Sequence, residues 1–442
     1  MTECSTATTF SLPQSRHVHV TFDQGHITEN AGLLLLHELD RREGLTRDLA
    51  AALHDWRDPR FIVHSLEDLV RSRVFAIAQG YEDCNDMALL RDEPLFKVAC
   101  ERGARGVPLP SQPSLSRFEK KALRLTDLDS VRPVLVRNAV ARWKRLRQPP
   151  RELILDLDST ADPTHGQQEF AEFNGFYDTY CYQQILVFTQ EGDLLWSKLV
   201  SGRANARLWG LKGVTEVVTE VRAAFPNVHL KLRADSGFAT PELYDWCEEH
   251  DVGYVINGGT HRVYCEQTRH LLERAEDLFK AADEQAPVQV FGEFLHQAKT
   301  WRQPRRVIAK AQRTLVGPDQ RFLVTNLALT PGDVFAFYAE HGQMENRIKD
   351  AKLDIKSDRL SASQFIANEL RLLLYSLAYQ LLHLLRSSAP EPLKAARLST
   401  VRQQLLRVAA IVKQTARRLW VKVSEHFPWR AHWVATAQAL TN

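Results

Sequence analysis

Residues 153–158 read LILDLD, and this short stretch decides the fold of the chain. In an extended strand, Ile154, Asp156 and Asp158 lie on one face and the three leucines lie on the other. A core strand that finishes in a carboxylate needs a reason, because a buried, unpaired charge is costly. The sequence therefore predicts a core strand that ends at Asp158 and presents an acidic group there.

A second predicted strand, residues 228–235, also ends in an aspartate, Asp235. The other elements predicted around the two strands are strands at 180–189, 194–200 and 252–256 and helices at 211–224 and 241–250. Three strands, a helix, a strand, a helix and a strand are the layout of an α/β fold with a ribonuclease-H-like mixed sheet. The first and fourth strands are adjacent in that layout. We therefore expect Asp158 and Asp235 to be neighbours.

A helix face near residue 340 carries a third acidic group. Tyr338, His341, Glu345 and Lys352 stand at i, i+3, i+7 and i+14, which keeps them within a sector of roughly 60°. Taken alone, Glu345 and Lys352 are equally well explained as solvated charges on an amphipathic helix. Together with the two strand aspartates, however, Glu345 would complete a set of carboxylates that can hold two Mg²⁺ or Mn²⁺ ions about 3.5–4 Å apart.

The composition is that of a globular protein whose basic residues are clustered. The chain has 442 residues, 44% of them hydrophobic, and a net charge of +3. Its six cysteines show no Cys-x-x-Cys pairing, which argues against a zinc ribbon or a disulfide framework and indicates a reducing compartment. No signal peptide is predicted, and the most hydrophobic run, residues 370–385, is too short for a membrane span. A membrane partner is therefore not expected.

Changes of pattern divide the chain into five regions. Residues 1–148 are predicted to be helical with basic faces, which favours DNA binding, and a plain helical packing domain is the alternative. Residues 149–258 and 331–386 are the two parts of the predicted core. Residues 259–330 are too long for a loop and contain three strand-like runs, so they are predicted to form a β-rich insertion. Residues 387–442 are predicted to be a helical, basic region that contacts DNA or a dimer partner.

Several segments carry a resemblance that covers most of the chain. In chain order they are GYEDCNDMALLRDEP, SQPSLSRFE, LDLDSTADPTHGQQEF, NGFYDTYCY, RADSGF, RRVIAK, RFLVTNL and YAEHGQMENRIKDAK. They resemble bacterial insertion-sequence transposases of the DDE class, in the group with a β insertion before the catalytic glutamate. Such families share a Tyr-x₂-Arg-x₃-Glu-x₆-Lys signature. Tyr338, Glu345 and Lys352 match it, whereas His341 stands at the arginine position.

The resemblance implies roles for individual residues. Asp158, Asp235 and Glu345 would be the catalytic acids and the metal ligands, with Asp156 as the alternative to Asp158. The residues implied to bind DNA are Tyr338, His341, Lys349, Lys352, Trp301, Arg302, Arg305 and Arg306. Trp301 would stack on a flipped base, and the alternative is a strand tryptophan that packs in a small core.

The resemblance also implies a function, namely a DNA transposase that moves an insertion sequence by cut and paste. Water would first cut the element ends, and the exposed 3′-hydroxyl would then attack target DNA, with a hairpin intermediate on the transposon end. The implied partners are double-stranded DNA, both terminal inverted repeats and target, and a second copy of the chain in a synaptic dimer. The implied location is the bacterial cytoplasm, at the nucleoid. A nuclease that cuts without joining, or a transposase-derived sequence-specific DNA-binding protein without catalysis, are the alternatives.

Overall fold

The computed structural model describes residues 8–11, 17–20, 27–282 and 286–441. The strands are β1 (Thr8–Ser11), β2 (His17–Val20), β3 (Ile27–Thr28), β4 (Glu152–Pro163), β5 (Glu172–Asn174), β6 (Thr179–Thr189), β7 (Leu194–Ser201), β8 (His229–Ala234), β9 (Val252–Asn257), β10 (Val288–His296), β11 (Arg305–Thr314), β12 (Gly317–Thr325), β13 (Ala410–Gln414) and β14 (Leu419–Val423). The helices are α1 (Leu33–Glu43), α2 (Leu45–Ala52), α3 (Leu66–Gln79), α4 (Met87–Leu90), α5 (Pro94–Ala99), α6 (Gln112–Lys121), α7 (Leu128–Val131), α8 (Val134–Lys144), α9 (Ala206–Ala224), α10 (Pro241–Glu249), α11 (Arg262–Gln267), α12 (Arg269–Ala281), α13 (Pro331–Ala339), α14 (Gln343–Lys349), α15 (Phe365–Ser388), α16 (Leu398–Val401) and α17 (Arg430–Thr441).

One large mixed sheet runs through the middle of the molecule. Its order is β10-β11-β12-β9-β8-β4-β6-β5, and β7 pairs with β6. β4, β8 and β9 are parallel, whereas β6 is antiparallel to β4 and to β7. The segment β7-β6-β4-β8-β9 is therefore in the order 3-2-1-4-5 of a ribonuclease-H-like core. The predicted fold class is confirmed, and the first and fourth strands are adjacent as expected.

Helices cover both faces of this core. The leucine face of β4 packs on α9, where Leu155 and Leu157 join Val214, Val217 and Val221 in one buried cluster. On the opposite face, α15 packs against β7 and against α1, α3 and α6. Burial of each such leucine contributes about 1.5–3 kcal/mol, so the two layers hold the sheet firmly. None of the helices in the described ranges is both long and apolar enough to cross a membrane.

Residues 259–330 form three strands, as expected, and two helices that the sequence prediction did not include. β12 pairs antiparallel with β9, so the insertion continues the central sheet. This pairing covers an edge of the core sheet that would otherwise present unpaired backbone groups. α12 packs against β10 and β11, and α13 also contacts these two strands. The buried residues against α12 and those against α13 belong to separate clusters, so the two helices lie on opposite faces.

The C-terminal region returns to the N-terminal helices. It contains α16 and α17, but between them β13 and β14 form a hairpin that the prediction of a helical region did not include. β13 also pairs with β3. Pairing with a strand about 380 positions earlier in the chain is a long-range contact that local helical periodicity cannot reveal.

Candidate active site

Asp158 and Asp235 lie side by side where the parallel pairing of β4 and β8 ends. Leu157 of β4 pairs with Ala234 of β8, and the two aspartates are the next residues on their strands. β8 ends at Ala234, one residue before the predicted end at Asp235. β4, however, does not end at Asp158, because its other edge continues to pair with β6 as far as Pro163. Asp158 is therefore inside its strand, at the point where one neighbouring strand stops.

The two carboxylates are electrostatically coupled. Burial and the charge of Asp235 raise the pKa of Asp158 to about 6. Burial also raises the pKa of Asp235, although the backbone N–H of Gly237 donates to its Oδ1 at 3.0 Å. Two like charges at one half-buried position repel each other unless a cation lies between them. The oxygens of these two carboxylates are therefore suitable ligands for a hard divalent cation.

Glu345 is not part of this pair. Its side chain is 73% exposed, and its Oε1 lies 2.8 Å from Nζ of Lys349, which lowers the pKa of the glutamate through a hydrogen bond. Within the described ranges, no group of three or more His, Cys, Asp or Glu side chains is arranged to hold a metal ion. The structure thus brings together two of the three predicted acids and leaves the third at the surface.

The predicted helix around residue 340 is continuous but irregular. α13 and α14 are joined by a 3-10 turn, Glu340–Gly342, and a π turn, Asp350–Asp354, follows α14. We call residues 331–354 the signature helix. Lys352 is turned inward, and its Nζ donates to the backbone oxygen of Ala161 at 2.7 Å. Tyr338 is half-buried, and burial together with the charge of Asp235 raises the pKa of its hydroxyl.

Asp156 is fully buried and lies at the centre of a network of charges. Arg233 donates from Nε and Nη2 to its carboxylate at 2.8 and 3.0 Å, and Arg347 donates from Nη1 at 2.9 Å. Nδ1 of His341 lies 2.9 Å from Oδ1 of the same carboxylate. Although burial acts to raise it, the hydrogen bonds from His341 and Arg233 hold the pKa of Asp156 below its usual value. Both oxygens are thus engaged by cationic or polar side chains, and His341 points into the core rather than toward solvent.

Sequence reasoning missed Arg233 and Arg347. Arg233 carried a visible signal, because it is a charged residue between Leu232 and Ala234 in the middle of a buried strand. Such a residue requires a buried counter-charge. Arg347 gave a weaker signal, since arginines are common on exposed helix faces.

The residues of the insertion that were predicted to bind DNA are engaged within the protein. Trp301 packs edge-on against Tyr244, with ring centroids 5.4 Å apart. Arg305 is buried and pairs with Asp245 and Glu248. Arg302 pairs with Glu249 at 2.7 Å but is 72% exposed, and Arg306 pairs with Glu293 and donates to backbone oxygens. The contacts of Trp301 are those of the packing alternative.

A groove of about 630 Å³ opens between the insertion strands and α13. Tyr338 and His341 line one end of it. Phe291, Lys310 and Arg321 form a straight row across β10, β11 and β12, because they are direct cross-strand partners. Burial and the charge of Arg321 lower the pKa of Lys310. The lining residues include these two cations and no acid, so we call this the positive groove, although Arg321 also pairs with Asp319 outside the lining at 2.9 Å.

Comparisons with known proteins identify the family of the chain. The chain matches the family described as transposase DDE domain, group 1, over residues 10–442. No curated protein matches it. Among solved structures, it is similar to a cryo-EM structure of the piggyBac transposase synaptic complex with hairpin DNA, with 11% identity, a TM-score of 0.41, and coverage of 86% of this chain and 79% of that chain. That similarity is too low to support an argument about function. The family match spans nearly the whole chain and confirms the resemblance noted in the sequence: the chain belongs to the group-1 transposase DDE domain family.

Proposed function

We propose that the chain is a DNA transposase that cuts the ends of an insertion sequence and joins them to target DNA. The observation that carries this proposal is the adjacency of Asp158 and Asp235 on parallel strands in a ribonuclease-H-like order. A carboxylate pair at such a position suits the binding of divalent cations at a phosphodiester. The family supports a transposase, and the two acids supply the chemistry that this function needs.

Asp158 and Asp235 would hold Mg²⁺ or Mn²⁺, and their mutual repulsion would be relieved when they do. When bound, two such ions supply activation of an attacking oxygen and stabilisation of a leaving oxygen. Glu345 is proposed as the third ligand, although it pairs with Lys349 in this structure. The side chain of Glu345 would have to leave Lys349 and rotate toward the sheet. An exposed ion pair of this kind is worth only about 0–1 kcal/mol, so the rotation is inexpensive.

Other residues of the chain would bind and orient the DNA. We propose that Tyr338 lies against the DNA beside the scissile phosphate and that Lys349 neutralises a neighbouring phosphate. Lys352 would do the same once its ammonium leaves the backbone oxygen of Ala161. The positive groove that contains Lys310 and Arg321 would continue this path along the insertion. His341 does not fit the predicted role of a DNA contact, because its ring is committed to Asp156. We assign it to the support of the signature helix.

The proposed reaction has two steps of the same type. Water first attacks the phosphodiester at the element end, so that the P–O3′ bond breaks and a 3′-hydroxyl and a 5′-phosphate are left. That hydroxyl then attacks a second phosphodiester in line, on the opposite strand or in the target DNA, and displaces its 3′-oxygen. A hairpin end formed on the opposite strand would be opened again by water before it joins the target. The two ends must be held together for joining, so a dimer of this chain on two terminal inverted repeats is part of the proposal. We expect it to act at the DNA of the nucleoid.

The test is a cleavage and strand-transfer assay on the DNA that flanks the gene. The wild-type chain with Mg²⁺ should nick and join labelled ends, whereas Asp235→Asn and Glu345→Gln should bind the same DNA and leave it intact. Cleavage without joining would identify a nuclease. Specific binding without cleavage would identify a transposase-derived DNA-binding protein. The outward position of Glu345 would then explain the absence of cleavage.

A further inference from the structure

We propose that residues 172–180 form an aromatic wedge that stacks on DNA bases at the cleaved step. This segment, the aromatic hairpin, consists of β5, the turn 175–178 and the first residues of β6. The inference rests on the proposed function and deepens it, because it assigns a base-binding role to a segment outside the metal-binding acids. The ligand class is an unpaired or unstacked nucleotide next to the scissile phosphate.

The hairpin exposes an unusual concentration of aromatic rings. Phe176 is 86% exposed at its tip, Tyr180 is 61% exposed and Phe173 is 38% exposed. Phe173 and Tyr180 are cross-strand partners with ring centroids 5.6 Å apart. Phe170, just before the hairpin, is 64% exposed. Single exposed apolar residues are ordinary, but a contiguous group of them marks an interaction surface.

The backbone of the hairpin is held in place by its own hydrogen bonds. Oδ1 of Asn174 accepts from the N–H of Phe176 at 2.9 Å and from the N–H of Tyr177 at 3.2 Å. Its Nδ2 donates to the backbone oxygen of Gly202 at 2.7 Å. A Cβ at Gly202 would lie 2.3 Å from the backbone oxygen of Glu172, so only glycine permits this close approach. The aromatic rings therefore project from a preorganised turn rather than from a loose loop.

The hairpin adjoins the acid pair. β6 leads from the hairpin into the core, where it pairs with β4, the strand that carries Asp158. Burial, together with the charges of Asp158 and Asp235, raises the pKa of the Tyr177 hydroxyl. The ring of Tyr177 contacts that of Phe176 at the tip, with centroids 4.9 Å apart. A DNA strand whose phosphate lies at the acid pair would bring its bases to the hairpin.

Cations border the hairpin on the side of Gly202. Arg207 is exposed, and its Nε donates to the backbone oxygen of Gly237 at 3.0 Å, beside Asp235. Arg203 is also exposed and belongs to the same loop. Aromatic rings that stack on bases, flanked by basic side chains that neutralise phosphates, are the combination that binds single-stranded DNA. A second protein copy would use the apolar rings but would gain nothing from the two arginines and the acid pair. The charge distribution therefore favours DNA.

The ring can stack on a base only where the duplex is opened. Apolar side chains that enter a base step unstack it, and the step then bends away from the side chain. Opening of the duplex at the cleaved step would expose the phosphodiester to Asp158 and Asp235. It would also give the 3′-hydroxyl the freedom to reach a second strand. Phe176, as the most exposed ring, is the residue assigned to enter the step.

The test uses duplexes of the transposon end that carry 2-aminopurine at one of the positions next to the cleaved phosphate. The protein is added in the presence of Ca²⁺, so that binding is measured without cleavage. Wild-type protein should change the fluorescence of at least one position, and Phe176→Ala should leave it within about 20% of the free duplex. Phe176→Trp should retain the change, because indole also stacks. The control is Leu315→Ala, since Leu315 is 80% exposed at the tip of the hairpin between β11 and β12.

Cleavage in Mg²⁺ provides a second readout that a folding defect would not reproduce. Phe176→Ala should cut fully paired ends at least tenfold more slowly than wild type and should recover most of that rate on ends with a mismatch at the cleaved step. A Phe176→Ala protein that matches wild type in both assays would refute the wedge. The wedge would also be refuted if Phe176→Ala kept the wild-type fluorescence change but no longer formed a dimer in light scattering. The hairpin would then be an interface between two copies of the chain. If wild type binds with a Phe176-dependent signal and never cuts, the wedge stands and the proposed function fails.

Discussion

His341 and Asp156, which are 185 residues apart in sequence, meet with 2.9 Å between Nδ1 and Oδ1. This contact explains why a histidine is tolerated at the arginine position of the family signature. Arg233 and Arg347 already neutralise Asp156, so a third permanent cation is not needed there. The histidine joins the signature helix to β4 and so holds Tyr338 beside the acid pair. The departure from the signature thus concerns support of the helix rather than contact with DNA.

Replacement of His341 should affect stability more than DNA affinity. His341→Ala removes one hydrogen bond to Asp156 and should lower the free energy of unfolding by about 1–2 kcal/mol. His341→Gln, which can still donate to the carboxylate, should recover part of the loss. Urea unfolding measures the stability and fluorescence anisotropy measures the DNA affinity. A variant of unchanged stability that binds DNA tenfold more weakly would return His341 to the role of a DNA contact.

Removal of Asp156 should be far more damaging than removal of an exposed partner of the same network. Asp156→Ala leaves Arg347 without its buried carboxylate partner and leaves Arg233 with the exposed Glu340 alone, and it should cost about 3–5 kcal/mol of stability. Glu340 also pairs with Arg233, at 3.3 Å, but it is 57% exposed. Glu340→Ala should therefore cost less than about 1 kcal/mol. Equal losses in the two variants would contradict the central role of Asp156.

The exposed pair of Lys349 and Glu345 offers a test of the rotation proposed for the glutamate. Lys349→Ala releases Glu345 and removes one proposed phosphate contact, so it should weaken DNA binding. At saturating DNA the cleavage rate in Mg²⁺ should stay within about threefold of wild type, because an exposed ion pair contributes little. Glu345→Gln should reduce cleavage below detection while the melting temperature stays constant. A Glu345→Gln protein that cuts at the wild-type rate would remove Glu345 from the site.

Asp162 should make the stability depend on pH. It is buried, and burial raises its pKa to about 8, whereas in the unfolded chain an aspartate titrates near 4. The protonated form is therefore favoured in the folded state, and its stabilising contribution is present below pH 4 and is lost as the pH rises toward 8. Asp162→Asn keeps a neutral group beside Gln184, which donates to Oδ2 of Asp162 at 3.3 Å. The variant should unfold at higher urea concentration than wild type at pH 8–9, and the difference should shrink toward pH 4.

The positive groove gives a prediction about salt dependence. Lys310→Ala should weaken DNA binding and lower the slope of log affinity against log salt by about 1, because one phosphate contact is lost. Lys280, which is 61% exposed on α12 at the opposite face of the insertion strands, is the matched control. Lys280→Ala should leave the slope unchanged. An unchanged slope for Lys310→Ala would place the DNA elsewhere.

The strands and helices of the core could be predicted because their signals are local. The alternation in residues 153–158 and the apolar run before Asp235 identify strands without knowledge of their neighbours. The helices at 262–281 and the hairpin of β13 and β14 were not predicted, since their amphipathic or short patterns become informative only when the packing partner is known. The continuation of β4 beyond Asp158 was missed for the same reason, because it depends on pairing with β6.

By itself, the sequence determined the order of the core strands and the adjacency of Asp158 and Asp235, because alternation and strand order follow from backbone geometry. It also indicated the family, through the resemblance of segments such as RADSGF and YAEHGQMENRIKDAK. Only the tertiary structure decided which side chains those acids and their neighbours contact. It directed Asp156 to Arg233, His341 and Arg347, which lie 77 to 191 residues away, and it left Glu345 beside Lys349 at the surface. The physical reason is that the direction of a side chain depends on buried charges brought close by folding, and their distances are not encoded in any local spacing.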